Sequence, residues 1–248
     1  MVVRKFYIII ASITTLNLAV ANAQHYIGFT GGYSIGTFTN FTKKQGYDAN
    51  YHLKSGVSIS SFYETKIDSL CNLKVELQYK WQNADMEINN NAGHASFYKK
   101  VDYSFHLLNL NLICSFRLVE KKSFKLRFLL GPTFSYNFNT HAKGNGWEYY
   151  SQMQIDTNGN PIQVLTTREW EKDERNSKDL STFNVGVDLG LEFIIPINHR
   201  MDFLIQNRYN IFITNITKQK ELRYTSLFSG HLNIGFRYNF GRIAKNSF

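Results

Sequence analysis

An alternation of apolar and polar side chains, with a period of two residues, most constrains what this chain can fold into. It is clearest near the C-terminus, where Leu232, Ile234, Phe236, Tyr238 and Phe240 alternate with polar residues or glycine. Successive side chains of a β-strand point to opposite faces, so these five share one face. The pattern recurs about eight times in segments of roughly ten residues, which is typical of a transmembrane barrel with an apolar outer face and a polar lumen.

The connections between the alternating segments separate this interpretation from a soluble β-sandwich, whose strands also alternate. Short turns are predicted near residues 66–69, 119–123 and 196–199, and each is preceded and followed by a long connection. Short turns at one end and long loops at the other are characteristic of outer-membrane barrels, and a sandwich gives no reason for this regularity. The predicted fold class is therefore all-β, an eight-stranded antiparallel up-and-down transmembrane β-barrel. Its strands are expected at about 26–38, 56–63, 72–81, 103–118, 124–138, 183–193, 201–212 and 231–240.

The first 23 residues predict a secretory signal peptide. Arg4 and Lys5 precede an apolar stretch, and Ala21-Asn22-Ala23 has the small residues of a cleavage site. Residues 24–248 are then expected to form one barrel domain, located in the outer membrane, with strands within about 26–240. Since no second apolar run is long enough for a membrane helix, strands must do the spanning.

The chain is basic, with a formal net charge of +9. Its Lys and Arg residues are spread over predicted strands and loops, and nucleic-acid-binding proteins gather them on one face instead. No nucleic acid is therefore expected as a partner. The expected partners are outer membrane lipid and lipopolysaccharide, together with other envelope proteins.

Two interruptions of the alternation carry local predictions. Pro132 lies inside the fifth predicted strand, where its missing N–H implies a bulge or a break in pairing. The apolar positions change parity near Leu107–Leu108, which indicates either a β-bulge or a stretch that is apolar on both faces. Cys71 and Cys114 are too few for a disulfide framework or a zinc set. Both are expected on the outward face of neighbouring strands, as two free thiols or as a cross-strand disulfide.

Two of the long connections are informative. Residues 82–100 are rich in Asn, and residues 139–180 form the longest loop, expected on the external side. Within the longer one, two alternating runs flank Asn158-Gly159, which predicts a hairpin that projects beyond the membrane. The same segment begins like a calcium loop, but Pro161 and Thr167 stand where that loop needs Gly and Glu. We therefore predict a turn.

Short structural motifs are distributed along the chain. They are Gly131-Pro132, the stretch 103–112, Gly186 to Phe193, Arg208-Tyr209-Asn210 ahead of Asn215-Ile216, and Gly235 to Phe240. Together they resemble the PorT-like outer-membrane β-barrel family, from about Tyr26 to Phe240. The resemblance implies a barrel similar in build to the OmpA and OmpX type, and it implies little about activity, since most members have no assigned biochemical role. The chain departs from the family near His106, where proline is frequent.

The polar positions of the predicted strands face the lumen. An eight-stranded barrel has an interior just wide enough for side chains to fill, so charges of both signs must pair there. We predict a structural polar network, with a gated or selective ion path as the alternative use of the same groups. The predicted network comprises Lys74, Glu76, Lys80, Lys125, Arg127, Asp188, Glu192, Asp202, Arg208 and Arg237.

Catalysis would need a nucleophile, a base and an orienting acid that converge in space. None of the seven histidines has a Ser or an acid beside it in a recognisable motif. No catalytic residue, cofactor or metal site is therefore predicted. The expected function is a structural, adhesive or protein-binding role through external loops such as 98–100 and 218–223. A small transport pore, and a lipid-modifying enzyme or protease of the outer membrane, are the alternatives.

Overall fold

A computed structural model describes residues 24–40, 47–90, 97–155, 157, 160–175, 180–216 and 225–240. The predicted signal peptide lies outside these residues, so its cleavage stays a prediction. Within the described part no helix is long and apolar enough to cross a membrane. The same part contains ten strands: β1 His25–Asn40, β2 Tyr47–Asn50, β3 Lys54–Lys66, β4 Cys71–Asn90, β5 Phe97–Glu120, β6 Lys125–Ile155, β7 Pro161–Arg175, β8 Phe183–Pro196, β9 Met201–Phe212 and β10 Thr225–Asn239.

Eight of these strands form a closed antiparallel ring, in the order β1, β3, β4, β5, β6, β8, β9, β10. The ring closes because β1 pairs with β10 along its length, from Tyr26 opposite Asn239 to Asn40 opposite Thr225. Closure leaves no unpaired strand edge within the ring, as a barrel in lipid requires. The predicted eight-stranded up-and-down barrel is confirmed.

Three short turns join strands at one end of the barrel, as predicted. They connect β3 to β4, β5 to β6, and β8 to β9. Two of these turns are stabilised in the same way. The Asp68 carboxylate accepts hydrogen bonds from the N–H groups of Leu70 and Cys71, and Asn198 Oδ1 accepts hydrogen bonds from those of Arg200 and Met201. These N–H bonds hold the pKa of the Asp68 carboxyl below its usual value. By the rule for outer-membrane barrels, this end faces the periplasm and the opposite end is external.

A sheet extends beyond the ring at the external end. We call it the external sheet, and it consists of β2, residues 82–90 of β4, 97–106 of β5, 139–155 of β6, and β7. β2 pairs with the far end of β4, and β7 pairs with β6 from His141 opposite Arg175 to Ile155 opposite Pro161. The seventeen residues of β6 in this sheet extend roughly 50 Å along the strand at about 3.3 Å per residue. The two arms of the predicted hairpin are confirmed and are longer than expected, while its Asn158-Gly159 turn lies outside the described residues.

Two predicted connections are therefore wrong as loops. Residues 82–100 are mostly strand, because β4 continues to Asn90 and β5 begins at Phe97. Residues 139–180 contain the end of β6 and the whole of β7. The physical reason is that the alternation inverts above the membrane. Up to Trp81 the outward positions of β4 are apolar, whereas beyond it the outward positions include Asn83 and Glu87, and the buried inward positions are Ala84, Met86 and Ile88.

The same inversion explains the apparent parity change in β5. Its buried positions alternate without a break from Val101 to Ser115, so the strand keeps its face and is apolar on both sides near Leu107. A bulge is present as well, on the partner strand: His106 lies opposite Asn139 and Leu107 opposite Asn137, which leaves Phe138 as the extra residue.

The other local predictions concern Pro132 and the cysteines. Pairing between β5 and β6 is in the same register on either side of Pro132, with Asn111 opposite Thr133 and Cys114 opposite Leu130. Pro132 therefore marks a break in pairing and not a bulge. Both cysteines are free, and Leu73 lies opposite Cys114 in place of Cys71.

Candidate functional site

The lumen of the barrel is the first candidate site, and its periplasmic half is filled by ion pairs. Glu64 on β3 is the centre of one cluster. Its carboxylate accepts hydrogen bonds from Arg127 Nη1, from Arg237 Nη1 at 3.1 Å and from Asn72 Nδ2, and Lys74 Nζ lies 4.0 Å away. The Glu64 side chain is fully buried. One carboxylate thus neutralises cations from three other strands, β4, β6 and β10.

Further residues complete this cluster. Lys74 forms an ion pair with Glu192, whose carboxylate also accepts a 2.7 Å hydrogen bond from Gln206 Nε2. Arg237 Nε donates to Asp202 at 2.8 Å. Each buried cation of this cluster has at least one carboxylate partner, which is the condition for burying charge.

Arg208 on β9 is the centre of a second cluster. Its guanidinium makes a two-bond contact with Asp188, at 3.0 and 2.8 Å, and its Nη1 reaches both oxygens of Glu76, at 2.7 and 2.8 Å. Asn111 donates to the same Glu76 carboxylate at 2.8 Å. Fork-shaped contacts of this type are the strong class of charge-assisted hydrogen bond.

These contacts cross the barrel. In the ring order, β4 and β9 are four strands apart and therefore diametrically opposite, so the Glu76–Arg208 pair spans the lumen. Glu64–Arg127 and Lys74–Glu192 each join strands three apart. Arg208 and Arg237 are 1% exposed and Lys74, Glu64 and Glu76 are 0% exposed. The ion pairs therefore connect opposite sides of the barrel and close the lumen.

Lys80 lies next to these clusters without a carboxylate within ion-pair distance among the described residues. Its ammonium contacts Ser229 Oγ at 2.5 Å and His231 Nε2 at 3.4 Å, both on β10. Ser229 and His231 are themselves 3.2 Å apart. Hydrolytic sites pair a serine with a histidine that an acid orients. The other ring nitrogen of His231 has no hydrogen-bond partner, so none of the described residues supplies that acid.

The structure places the ten predicted network residues as follows. Eight belong to the two ion-pair clusters, and Lys80 lies beside them in the lumen. Lys125 does not belong to the network: it lies at the periplasmic rim and pairs with Glu120 at 2.9 Å. Sequence reasoning missed Glu64, although the inward positions Ser58, Ser60 and Phe62 reach it when the strand is extended by one step. With Glu64 included, the described part of the interior holds five carboxylates and five cations. They are Glu64, Glu76, Asp188, Glu192 and Asp202 with Lys74, Lys80, Arg127, Arg208 and Arg237.

The external half of the lumen is filled by apolar side chains. Phe38 on β1 contacts Tyr103 and Phe105 on β5, with ring centroids 5.4 and 5.9 Å apart, across three steps of the ring. The buried cluster comprises Phe38, Ala84, Met86, Ile88, Val101, Tyr103, Phe105, Leu107, Ala142, Leu180, Phe212, Ile216 and Leu227. The lumen therefore has two successive closures, ionic below and apolar above.

The external sheet is the second candidate site. At the tip of the β6–β7 hairpin, Met153, Ile155, Ile162 and Leu165 are 68, 76, 42 and 55% exposed. Lower down, His141 Nε2 lies 2.7 Å from Asp173, which joins the two arms. The hydrogen bond to His141 lowers the pKa of the Asp173 carboxyl.

The remaining predicted loop features are less informative. His52 binds Asp85, both through its backbone N–H at 2.8 Å and through its ring at 3.0 Å. His94 and the whole of the predicted 218–223 loop lie outside the described residues. Among the described residues, no cluster of three or more His, Cys, Asp or Glu side chains could hold a metal ion.

The closed ring of strands with an apolar outer face defines a β-barrel protein of the outer-membrane type. The family model described as "Outer membrane protein beta-barrel domain" matches residues 22–218. The chain therefore belongs to this family, and its location is the cell outer membrane.

Several solved structures are similar to the chain at low identity. Neisserial surface protein A (NspA) is 13% identical, with 88% of this chain and 99% of that chain covered and a TM-score of 0.42. OprG from Pseudomonas aeruginosa is 12% identical, with 90% and 99% covered and a TM-score of 0.42. Ail, the attachment invasion locus protein of Yersinia pestis, is 12% identical, with 86% and 99% covered and a TM-score of 0.36. No curated protein matches the chain.

Proposed function

We propose that this protein is a closed outer-membrane barrel that presents its external sheet for binding to another envelope or surface protein. The observation that carries the proposal is the contrast between its two halves. The lumen is crossed by ion pairs and by apolar contacts, whereas the hairpin beyond it exposes apolar side chains to water. The barrel then anchors the protein in the membrane, and the external sheet is the binding surface.

The hairpin tip supports a protein partner more than a merely solvated loop. Soluble surfaces rarely keep several large apolar side chains together in water without a binding role. Met153, Ile155 and Leu165 lie on the same face of the two-stranded hairpin, since Ile155 pairs with Pro161, Met153 with Gln163, and Ser151 with Leu165. The outer edge of β7 is unpaired within the described sheet, so a partner strand has backbone groups to pair with.

Photo-crosslinking in intact cells tests this proposal. A benzophenone side chain placed at Met153 should capture a partner in a discrete, higher-mass band. The same group at Lys143, which is exposed on the same strand nearer the barrel, is the matched control. The double variant Met153→Ser and Ile155→Ser should remove a band captured from Leu165. Equal labelling at Met153 and Lys143, or no band at either position in folded protein, would contradict a binding role for the tip.

We also propose that the chain is PorT-like within the outer-membrane barrel family. The support is the set of short motifs in the barrel strands, among them Gly131-Pro132 and Gly186 to Phe193. We expect the partner among envelope proteins, with outer membrane lipid and lipopolysaccharide around the barrel. Identification of the captured band by mass spectrometry tests this point, since a secreted or host protein would argue against it.

A further inference from the structure

A small cavity lies on the inner face of the external sheet, beside the apolar cluster that closes the lumen. Its volume is about 200 Å³. Met86 and Ile88 on β4, with Val101 and Tyr103 on β5, form its apolar wall, and all four are buried. Trp170 on β7 contributes the opposite wall. The cavity is therefore built by three separate strands of the sheet.

Two polar groups line this cavity, an indole N–H and an ammonium group. The Trp170 indole N–H is buried and has no hydrogen-bond partner. The Lys99 ammonium lies 5.6 Å from the centroid of the Trp170 ring and 5.1 Å from that of Phe97. No carboxylate among the described residues lies within 4.0 Å of it, whereas the neighbouring Lys172 pairs with Glu174 at 3.2 Å. An indole N–H without a hydrogen-bond partner, and an ammonium that contacts two aromatic rings but no carboxylate of the described residues, thus line one apolar space.

We propose that this cavity binds a small apolar carboxylate, such as an arylacetate. The carboxylate takes a charge-assisted hydrogen bond from Lys99 and one from the Trp170 indole, and the apolar body rests against Met86, Ile88 and Val101. The lining favours a ligand with both a carboxylate and an apolar body. A purely apolar ligand would leave the indole N–H unsatisfied, and a hydrophilic anion would make no contact with the apolar wall.

The volume limits the size of the ligand. An apolar cavity of about 150 Å³ accommodates benzene, so about 200 Å³ accommodates one aromatic ring with a short carboxylate arm. Cavities for drug-sized ligands are larger, about 300–1,000 Å³. Full-length lipid chains are therefore excluded from the cavity as it stands.

Phenylacetate is the probe, and the tryptophan indole signals are the readout. The chain has three tryptophans, so ¹⁵N-labelled protein in lipid nanodiscs gives three indole N–H signals. The Trp81 indole donates to Ser104 Oγ at 2.7 Å on the outward face and serves as the internal reference. Saturable movement of the Trp170 signal, with the Trp81 signal unmoved, is the expected result.

Two variants at neighbouring positions on opposite faces of β5 provide the test and its control. Lys99→Gln should weaken phenylacetate binding roughly ten- to hundredfold, because a hydrogen bond to a charged group is lost. Lys100→Gln removes the same charge from the next residue, which points to the outer face, and should leave the affinity unchanged. Neutral 2-phenylethanol should bind the wild type weakly and should not distinguish it from Lys99→Gln. Val101→Phe should fill the cavity and abolish the shift.

Three results would overturn the proposal. They are no saturable movement of the Trp170 signal, equal movement of the Trp81 signal, which indicates partitioning into lipid, and equal affinity in Lys99→Gln and Lys100→Gln. Binding at this cavity is independent of the partner proposed for the hairpin tip. Crosslinking from Met153 should therefore persist in Lys99→Gln, so failure of one proposal is separable from failure of the other.

Discussion

Replacing Glu64 by Gln should destabilise the folded barrel by about 3–5 kcal/mol, the usual cost of leaving a buried charge without its partner. Glu64 accepts hydrogen bonds from Arg127 and Arg237 and lies 4.0 Å from Lys74. Glutamine keeps the shape of the side chain and removes its charge. The interior, which among the described residues holds five carboxylates and five cations, would then carry one uncompensated positive charge.

The assay is equilibrium unfolding by urea in lipid vesicles, followed by heat-modifiable gel mobility and tryptophan fluorescence. Glu87→Gln is the matched control, because Glu87 lies on the outward face of the external sheet and is only partly buried. The double variant Glu64→Gln with Arg127→Gln should recover part of the loss, since it removes one of the stranded charges. A loss below about 1 kcal/mol for Glu64→Gln, or no recovery in the double variant, would refute the reasoning.

Three further predictions follow from the fold. Phe105→Ala should cost about 3–5 kcal/mol by emptying part of the apolar closure, measured by the same urea unfolding, with lipid-facing Phe138→Ala costing less. Gly131→Ala should lower the refolding yield on gels, because its Cβ would lie 1.9 Å from the Leu112 carbonyl oxygen. The Asp68 carboxyl, followed by ¹³C NMR, should titrate below its usual pKa. Because the folded-state pKa is depressed, the ionised carboxylate stabilises the turn at pH values above the unfolded-state pKa of about 3.9. This stabilisation should disappear as the pH falls through the folded-state pKa.

The ring of eight strands was predictable because one period-2 pattern governs each membrane crossing. On β4 the outward apolar positions run from Leu73 to Trp81, nine residues, close to the 9–11 that a tilted strand needs to cross a bilayer. The short turns were predictable for a related reason: at residues 66–69, 119–123 and 196–199 the alternation stops for only a few residues between two alternating runs.

The external sheet was not predictable in the same way. Beyond Trp81 the inward positions become apolar and the outward positions polar, since water replaces lipid outside and an apolar core replaces the ionic one inside. A rule that assigns apolar residues to the outer face therefore does not recognise the part of β4 beyond Trp81 as a strand and predicts a loop there. β2 has four residues, too few for an alternation to stand out in the sequence.

The lumen network was partly predictable. Parity identifies which charged residues point inward. It does not show how far along the barrel axis each residue lies, so it includes Lys125 in the network although Lys125 pairs at the rim with Glu120. Parity also does not reveal partners: the Glu76–Arg208 contact joins strands from opposite sides of the ring. Glu64 was missed because the predicted strand ended at residue 63, whereas β3 continues to Lys66.

Single-channel conductance of the refolded protein in a planar bilayer tests the central claim most directly, with heat-modifiable mobility as the control for folding. The two closures of the lumen predict no steady conductance from correctly folded barrels. Steady channel openings whose amplitude changes in Glu192→Gln or Arg208→Gln would show that ions pass through the lumen, and they would contradict the closed barrel.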